Sequence, residues 1–127
     1  MQRATIEALL ARKETSQKEA LKTKDVEVPA LGMTLTIVKQ PLSAVSGFFD
    51  DMKENLSFSK SIDIYNGLIY TCTPLFHDKK LQDAYECAEP YDIVPALFDD
   101  NVMAIQALGN EILSLYGFDE VINSLKN

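Results

Sequence analysis

The sequence predicts a mainly α-helical bundle domain with a short β-hairpin near its N-terminus. Two observations predict it. Apolar residues recur at steps of three and four over 42–56 and again over 105–115, which gathers them on one helix face. Over 25–39 the period drops to two, with β-branched residues broken by Pro29 and Gly32, the pattern of two short paired strands.

The elements follow in chain order. Residues 5–24 are rich in Ala, Leu, Glu, Lys, Gln and Arg and hold no Gly or Pro, so helix is favoured by propensity. Their apolar residues are confined to Ile6, Leu9, Leu10, Ala20 and Leu21, with a polar middle. Such a helix buries little and is expected to fray or project. The chain is therefore divided into a basic N-terminal helix or partly disordered segment, 1–24, and one helical domain, 25–127, with its hairpin at 25–39. In the hairpin Val26 and Val28 alternate with polar neighbours, as do Met33, Leu35 and Ile37. One face must rest on the helices, because an isolated two-stranded ribbon is only marginally stable.

Leu42, Val45, Phe49, Met52 and Leu56 form the first helical stripe, with Ser43 a candidate cap and Phe48 to one side. A second helix follows, capped by Ser59 or Ser61, with Asp63 in its first turn and a stripe of Ile62, Tyr65, Ile69 and Cys72. Gly67 inside it costs about 1 kcal/mol relative to Ala, which suggests close approach of another backbone. Pro74 stops that helix by driving Thr73 out of the α region. A short helix starts at Asp78. Asp92 caps the next, and Val94, Leu97 and Phe98 point inward from it. The segment Asp99-Asp100-Asn101 opens the last long helix, 100–116, with Ile105, Leu108, Ile112 and Leu115 on one face and Gly117 as its C-cap signal. Val121, Ile122 and Leu125 suggest a final amphipathic turn.

At 127 residues the chain is one domain, large enough to bury a core without metal or disulfide. Its 46% hydrophobic and 24% charged residues exclude a wholly disordered or collagen-like chain. No apolar run approaches the roughly 20 residues of a membrane span, and Glu7 interrupts the short apolar N-terminal patch, so a cytosolic chain is expected. The net charge of −7 is uneven: residues 1–24 carry +3, which leaves −10 for the rest. An acidic body repels phosphate backbones, so no nucleic-acid partner is expected.

Little in the sequence points to catalysis. Cys72, His77 and Cys87 are the only soft ligands, one short of a structural zinc set and too widely spaced. The adjacent carboxylates Asp50-Asp51, Asp99-Asp100 and Asp119-Glu120 diverge if helical, whereas acid–base work needs convergence across a cleft. A calcium loop from Asp99 fails because its sixth and twelfth positions are Ala104 and Asn110. No phosphate loop, dinucleotide fingerprint or nucleophile elbow occurs. The expectation is a protein without catalytic residues, cofactor or metal. Apolar residues off the core stripes, Phe48, Phe58, Met103 and Leu113, are the candidate partner-binding residues, suited to a partner helix if exposed.

The order of basic helix, hairpin and helical body, with "LIYTCTPLFHDKKLQDAY" at 68–85, "EPYDIVPALF" at 89–98 and "EILSLYGFDEVINSLKN" at 111–127, resembles the tail assembly chaperones of Gram-positive phages and prophages, the XkdN-like family. Where that family often opens the last long helix with Pro-Gly-Glu, this chain has Asp99-Asp100-Asn101-Val102. The resemblance implies a non-enzymatic role in tail morphogenesis. The partners implied are the long, helix-rich tape measure protein, kept soluble, and the tail tube protein, with self-association also open. The place implied is the cytoplasm of the bacterial host, with the protein absent from the mature virion. Two other readings fit the composition: a small acidic regulatory protein that inhibits a host protein, and a minor tail structural protein.

Overall fold

The structure, a computed structural model, describes residues 3–18, 22–54 and 56–118, with the side chains of 14–18 left aside. The expected turn at Val121, Ile122 and Leu125, and the apolar pair Ala20 and Leu21, lie outside the described residues. The described chain is mainly α-helical, with one two-stranded antiparallel hairpin near its N-terminus. Helix α1 spans Ile6–Lys18, strands β1 and β2 span Thr23–Val28 and Met33–Val38, and helices α2 and α3 span Leu42–Met52 and Phe58–Cys72. A 3₁₀ turn at Pro74–His77 leads to α4 (Lys79–Ala84), α5 (Ile93–Phe98) and α6 (Val102–Leu115).

The first helix is shorter than its composition suggests. Helix propensity runs to Lys24, but β1 begins at Thr23, because Thr23 and Lys24 pair with Val38 and Ile37. Pairing thus overrides a weak local preference. Lys24 also reaches Glu111 on α6 at 2.5 Å, which ties the strand to the bundle. The hairpin closes over residues 29–32, with Leu31 N–H donating to Val28 at 3.0 Å and Gly32 in the left-handed region (φ 65°). Val28, Leu35 and Ile37 are buried and supply the face that rests on the helices.

Helix α2 starts after Pro41, with no side-chain cap from Ser43, and ends at Met52, short of Leu56. Val45 is buried as its stripe requires, whereas Leu42, in the first turn, is 61% exposed. Ser57 caps α3, in place of Ser59 or Ser61, its hydroxyl accepting from Lys60 N–H at 3.2 Å. That start places Asp63 beyond the first turn. Gly67 does mark a close approach, but of a ring, not a backbone: an added Cβ would lie 2.5 Å from Phe48 Cε1. Asp99 and Asp100 do not lie in the first turn of α6. Both sit before it in the left-handed region (φ 51° and 56°), and Asn101 caps the helix by accepting from Ala104 N–H at 3.1 Å. At its other end Gly117 (φ 84°) lets Phe118 N–H bond Leu113 O at 3.3 Å and its own N–H bond Ser114 O at 3.2 Å, the paired bonds of a Schellman end.

Helices α3 and α6 form the centre of the core and run parallel. Tyr65 donates to Asn110 Oδ1 at 3.0 Å; seven residues on in α3 and six on from Asn110, just past the end of α6, Cys72 meets the Tyr116 hydroxyl. Gly109 makes the pair possible, because a Cβ there would collide with the Tyr65 ring. Ile64, Leu68, Ile69 and Cys72 of α3 and Ile105, Leu108, Ile112 and Leu113 of α6 are buried. The Tyr116 hydroxyl donates to Gln40 O at 2.7 Å and accepts from Gln40 N–H at 2.9 Å. That double bond fixes the exit of β2 against the end of α6.

Two expectations follow. Replacing Gly109 by Ala gains about 1 kcal/mol of helix propensity but forces the Tyr65 ring aside, at about 1–3 kcal/mol. Urea denaturation should show a net loss; a gain would contradict the packing described. The second concerns Tyr116, pushed up to about 12, first by burial and then by the neighbouring Cys72. A proton held more tightly by the folded state makes stability fall as pH rises from about 10 toward 12. Tyr116→Phe should cost about 1–3 kcal/mol at neutral pH, through the orphaned Gln40 groups. It should also flatten that alkaline loss, although Cys72, raised mainly by burial, still titrates. Denaturation at stepped pH reads both, and an unchanged alkaline slope would clear Tyr116 of the effect.

Candidate partner-binding groove

Pro74 ends α3 by holding Thr73 at φ −119° and ψ 89°, outside the α region. The chain then turns sharply. Phe76 enters the core while Leu75 is left facing out. Asp78 caps α4, accepting from Leu81 N–H at 2.9 Å. Gln82 Nε2 donates back to Phe76 O at 2.9 Å, which locks the 3₁₀ turn to α4. His77 Nε2 donates to Tyr70 O at 2.6 Å, and its ring lies 4.4 Å from Tyr70, which itself lies 4.8 Å from Tyr91. Helix α4 ends with Glu86 in the left-handed region (φ 55°), where Cys87 N–H bonds Gln82 O at 3.0 Å. A non-glycine residue there stores about 1 kcal/mol or more of strain. Asp92 faces backward, accepting from Glu89 N–H at 3.0 Å, so it caps the preceding turn and not α5.

This braced segment faces the hairpin across a groove of about 650 Å³. Ala30, Leu31, Met33 and Leu35 line one side; Leu75, Phe76, Leu81, Tyr85 and Leu97 line the other. Asp78 is the only charged residue in the lining. Met33, Leu75 and Tyr85 are exposed. The volume and apolar lining match a site that takes a few apolar side chains of a partner.

The sequence-predicted residues fall elsewhere. Phe58 and Met103 are 69% and 74% exposed. Each precedes a member of the Tyr65–Asn110 pair by seven residues, so both lie at the same end of the α3–α6 seam, as an apolar pair. Phe48 is half-buried, with its ring over Gly67. Leu113 is corrected: at 2% exposure it belongs to the core, because α6 buries more than one face. None of the four lines the groove. The groove was missed because Met33 and Leu35 read only as alternating hairpin residues and Leu75 fell on no stripe. The available signal was an apolar Leu75-Phe76 pair just after a helix-stopping Pro74.

The titratable groups near the core are held neutral. Burial pushes the Cys72 thiol and the Tyr65 hydroxyl up, and burial followed by the charges of Asp92 and Asp83 pushes Cys87 up. Among the described residues no group of three or more His, Cys, Asp and Glu is placed to hold a metal ion, and no helix is long and apolar enough to cross a membrane. No protein-family model, curated protein or solved structure matches the chain.

An environment-sensitive apolar dye should report the groove. Met33→Arg with Leu75→Arg should remove most of the fluorescence gain while shifting stability by no more than about 1 kcal/mol, since both side chains are exposed. Full dye binding to the double variant would place the exposed apolar surface elsewhere.

Proposed function

We propose that this chain is a non-catalytic binding protein that shelters amphipathic helices of a partner, acting as a phage tail assembly chaperone for the tape measure protein. The observation that carries the reading is the apolar groove between the hairpin and α4. Its walls are braced by backbone and side-chain bonds before any partner arrives, which lowers the ordering cost of binding. A helix lays residues at i, i+3 and i+4 into such a groove. Each apolar side chain buried contributes about 1.5–3 kcal/mol, and association itself costs several kcal/mol, so one site binds modestly. A long client with repeated helices, covered by many copies, gains through effective concentration.

The net charge of −7 supports the same reading, because it keeps a complex with a greasy client in solution. The exposed pair Phe58 and Met103 offers a second apolar contact for the same client or for the tail tube protein. The chaperone works in the cytoplasm of the bacterial host and leaves before the particle is complete.

Co-expression of the full chain with the tape measure protein tests the proposal. The soluble fraction of the tape measure should rise several-fold and the two should elute together. Met33→Arg with Leu75→Arg should abolish both effects. A tape measure that stays insoluble, or one rescued equally by the double variant, would defeat the proposal.

A further inference from the structure

Helix α1 carries an apolar stripe that is exposed among the described residues. Ile6, Leu9 and Leu10 are all exposed, and no described residue of α1 joins the core. The three stand at i, i+3 and i+4, and Lys13, three residues after Leu10, extends the same face, while Arg3 lies just ahead of the Thr5 cap. The stripe is therefore apolar, with a basic end at Lys13 and a further cation, Arg3, in the segment that leads into the helix. The groove is its complement: apolar along both walls, with the carboxylate of Asp78 as its one charge. Asp78 gives one oxygen to Leu81 N–H and keeps further acceptor capacity. The wider field agrees, since residues 1–24 carry +3 against −10 for the rest of the chain.

We propose that α1 of one copy lies in the groove of a second copy. The inference rests on the reading of the groove as a helix site. A chain that could cover its own groove with α1 would gain by the high local concentration of a tethered helix, yet within one chain those side chains are exposed. A second copy supplies both the missing helix and the missing groove. Reciprocal exchange about a twofold axis uses each surface once and closes the assembly as a dimer. The same contact guards the groove: a client helix must displace α1, so the site stays shielded until a better ligand competes for it.

Light scattering behind size exclusion, run on the full chain over a micromolar concentration series, tests the proposal. The wild-type chain should run at twice 14.2 kDa. Leu9→Glu with Leu10→Glu keeps helix propensity and should weaken association at least about tenfold, through loss of two buried leucines. Met33→Arg with Leu75→Arg should do the same from the other side. Mixing the two variants leaves one intact helix facing one intact groove and should restore a dimer. A wild-type monomer at every concentration, a dimer that survives either pair of substitutions, or a mixture that stays monomeric would overturn the proposal. The helix variant should still hold the tape measure protein in solution. A dimer that behaves as expected alongside an insoluble client would defeat the chaperone reading and leave the helix exchange standing.

Discussion

The parallel run of α3 and α6 is the constraint from which the rest of the molecule follows. Two helices that point the same way cannot be joined by a short loop. The chain must return the length of α3 before α6 can start, and residues 74–101 make that return. They carry the 3₁₀ turn, α4 and α5, and so build one wall of the groove. Close approach of the pair depends on Gly109, which gives the Tyr65 ring its place, and Gly67 performs the same service for Phe48 on the other side of α3.

The second wall is held by polar ties at the open end of the hairpin, where the start of β1 and the exit of β2 lie side by side. Lys24 bonds Glu111, and Gln40 is bonded twice by Tyr116. Of these, the Tyr116 bonds matter more. Lys24 and Glu111 are each about two-fifths exposed, and an ion pair in that setting contributes little. The Tyr116 ring also packs edge-on to Phe49 at 5.3 Å, and Phe118 lies 4.9 Å from the Phe49 ring. An aromatic cluster therefore supports the bonds that set the position of β2, and with it of Met33 and Leu35. These polar groups cap helices and anchor strands, and the concave surface, Asp78 apart, is left to apolar and aromatic side chains.

Much of this was legible in the residues. The stripe Ile105, Leu108 and Ile112 lies in the core, Gly117 ends α6, and Pro74 ends α3, each for the local reason its residue type supplies. Misreadings arose where a distant partner decides. Thr23 and Lys24 prefer helix until Val38 and Ile37 pair with them. Leu113 stands off the α6 stripe yet is buried, because α6 is covered on more than one side. Of the four candidate residues off the stripes, Phe58 and Met103 are exposed. The groove was not legible, since it joins turn, strand and helix residues more than forty positions apart, and no single-element periodicity brings Met33 beside Leu75.

The central claim is that the groove, an apolar surface, is where this protein meets its partner. Backbone and methyl resonances of the labelled full chain, followed while an amphipathic helical peptide from the tape measure protein is added, test it most directly. The account predicts dose-dependent shifts at Met33, Leu35, Leu75, Leu81 and Leu97, with little change at Val45 or Ile112 in the core. Shifts confined to other surfaces, or none at millimolar peptide, would contradict it.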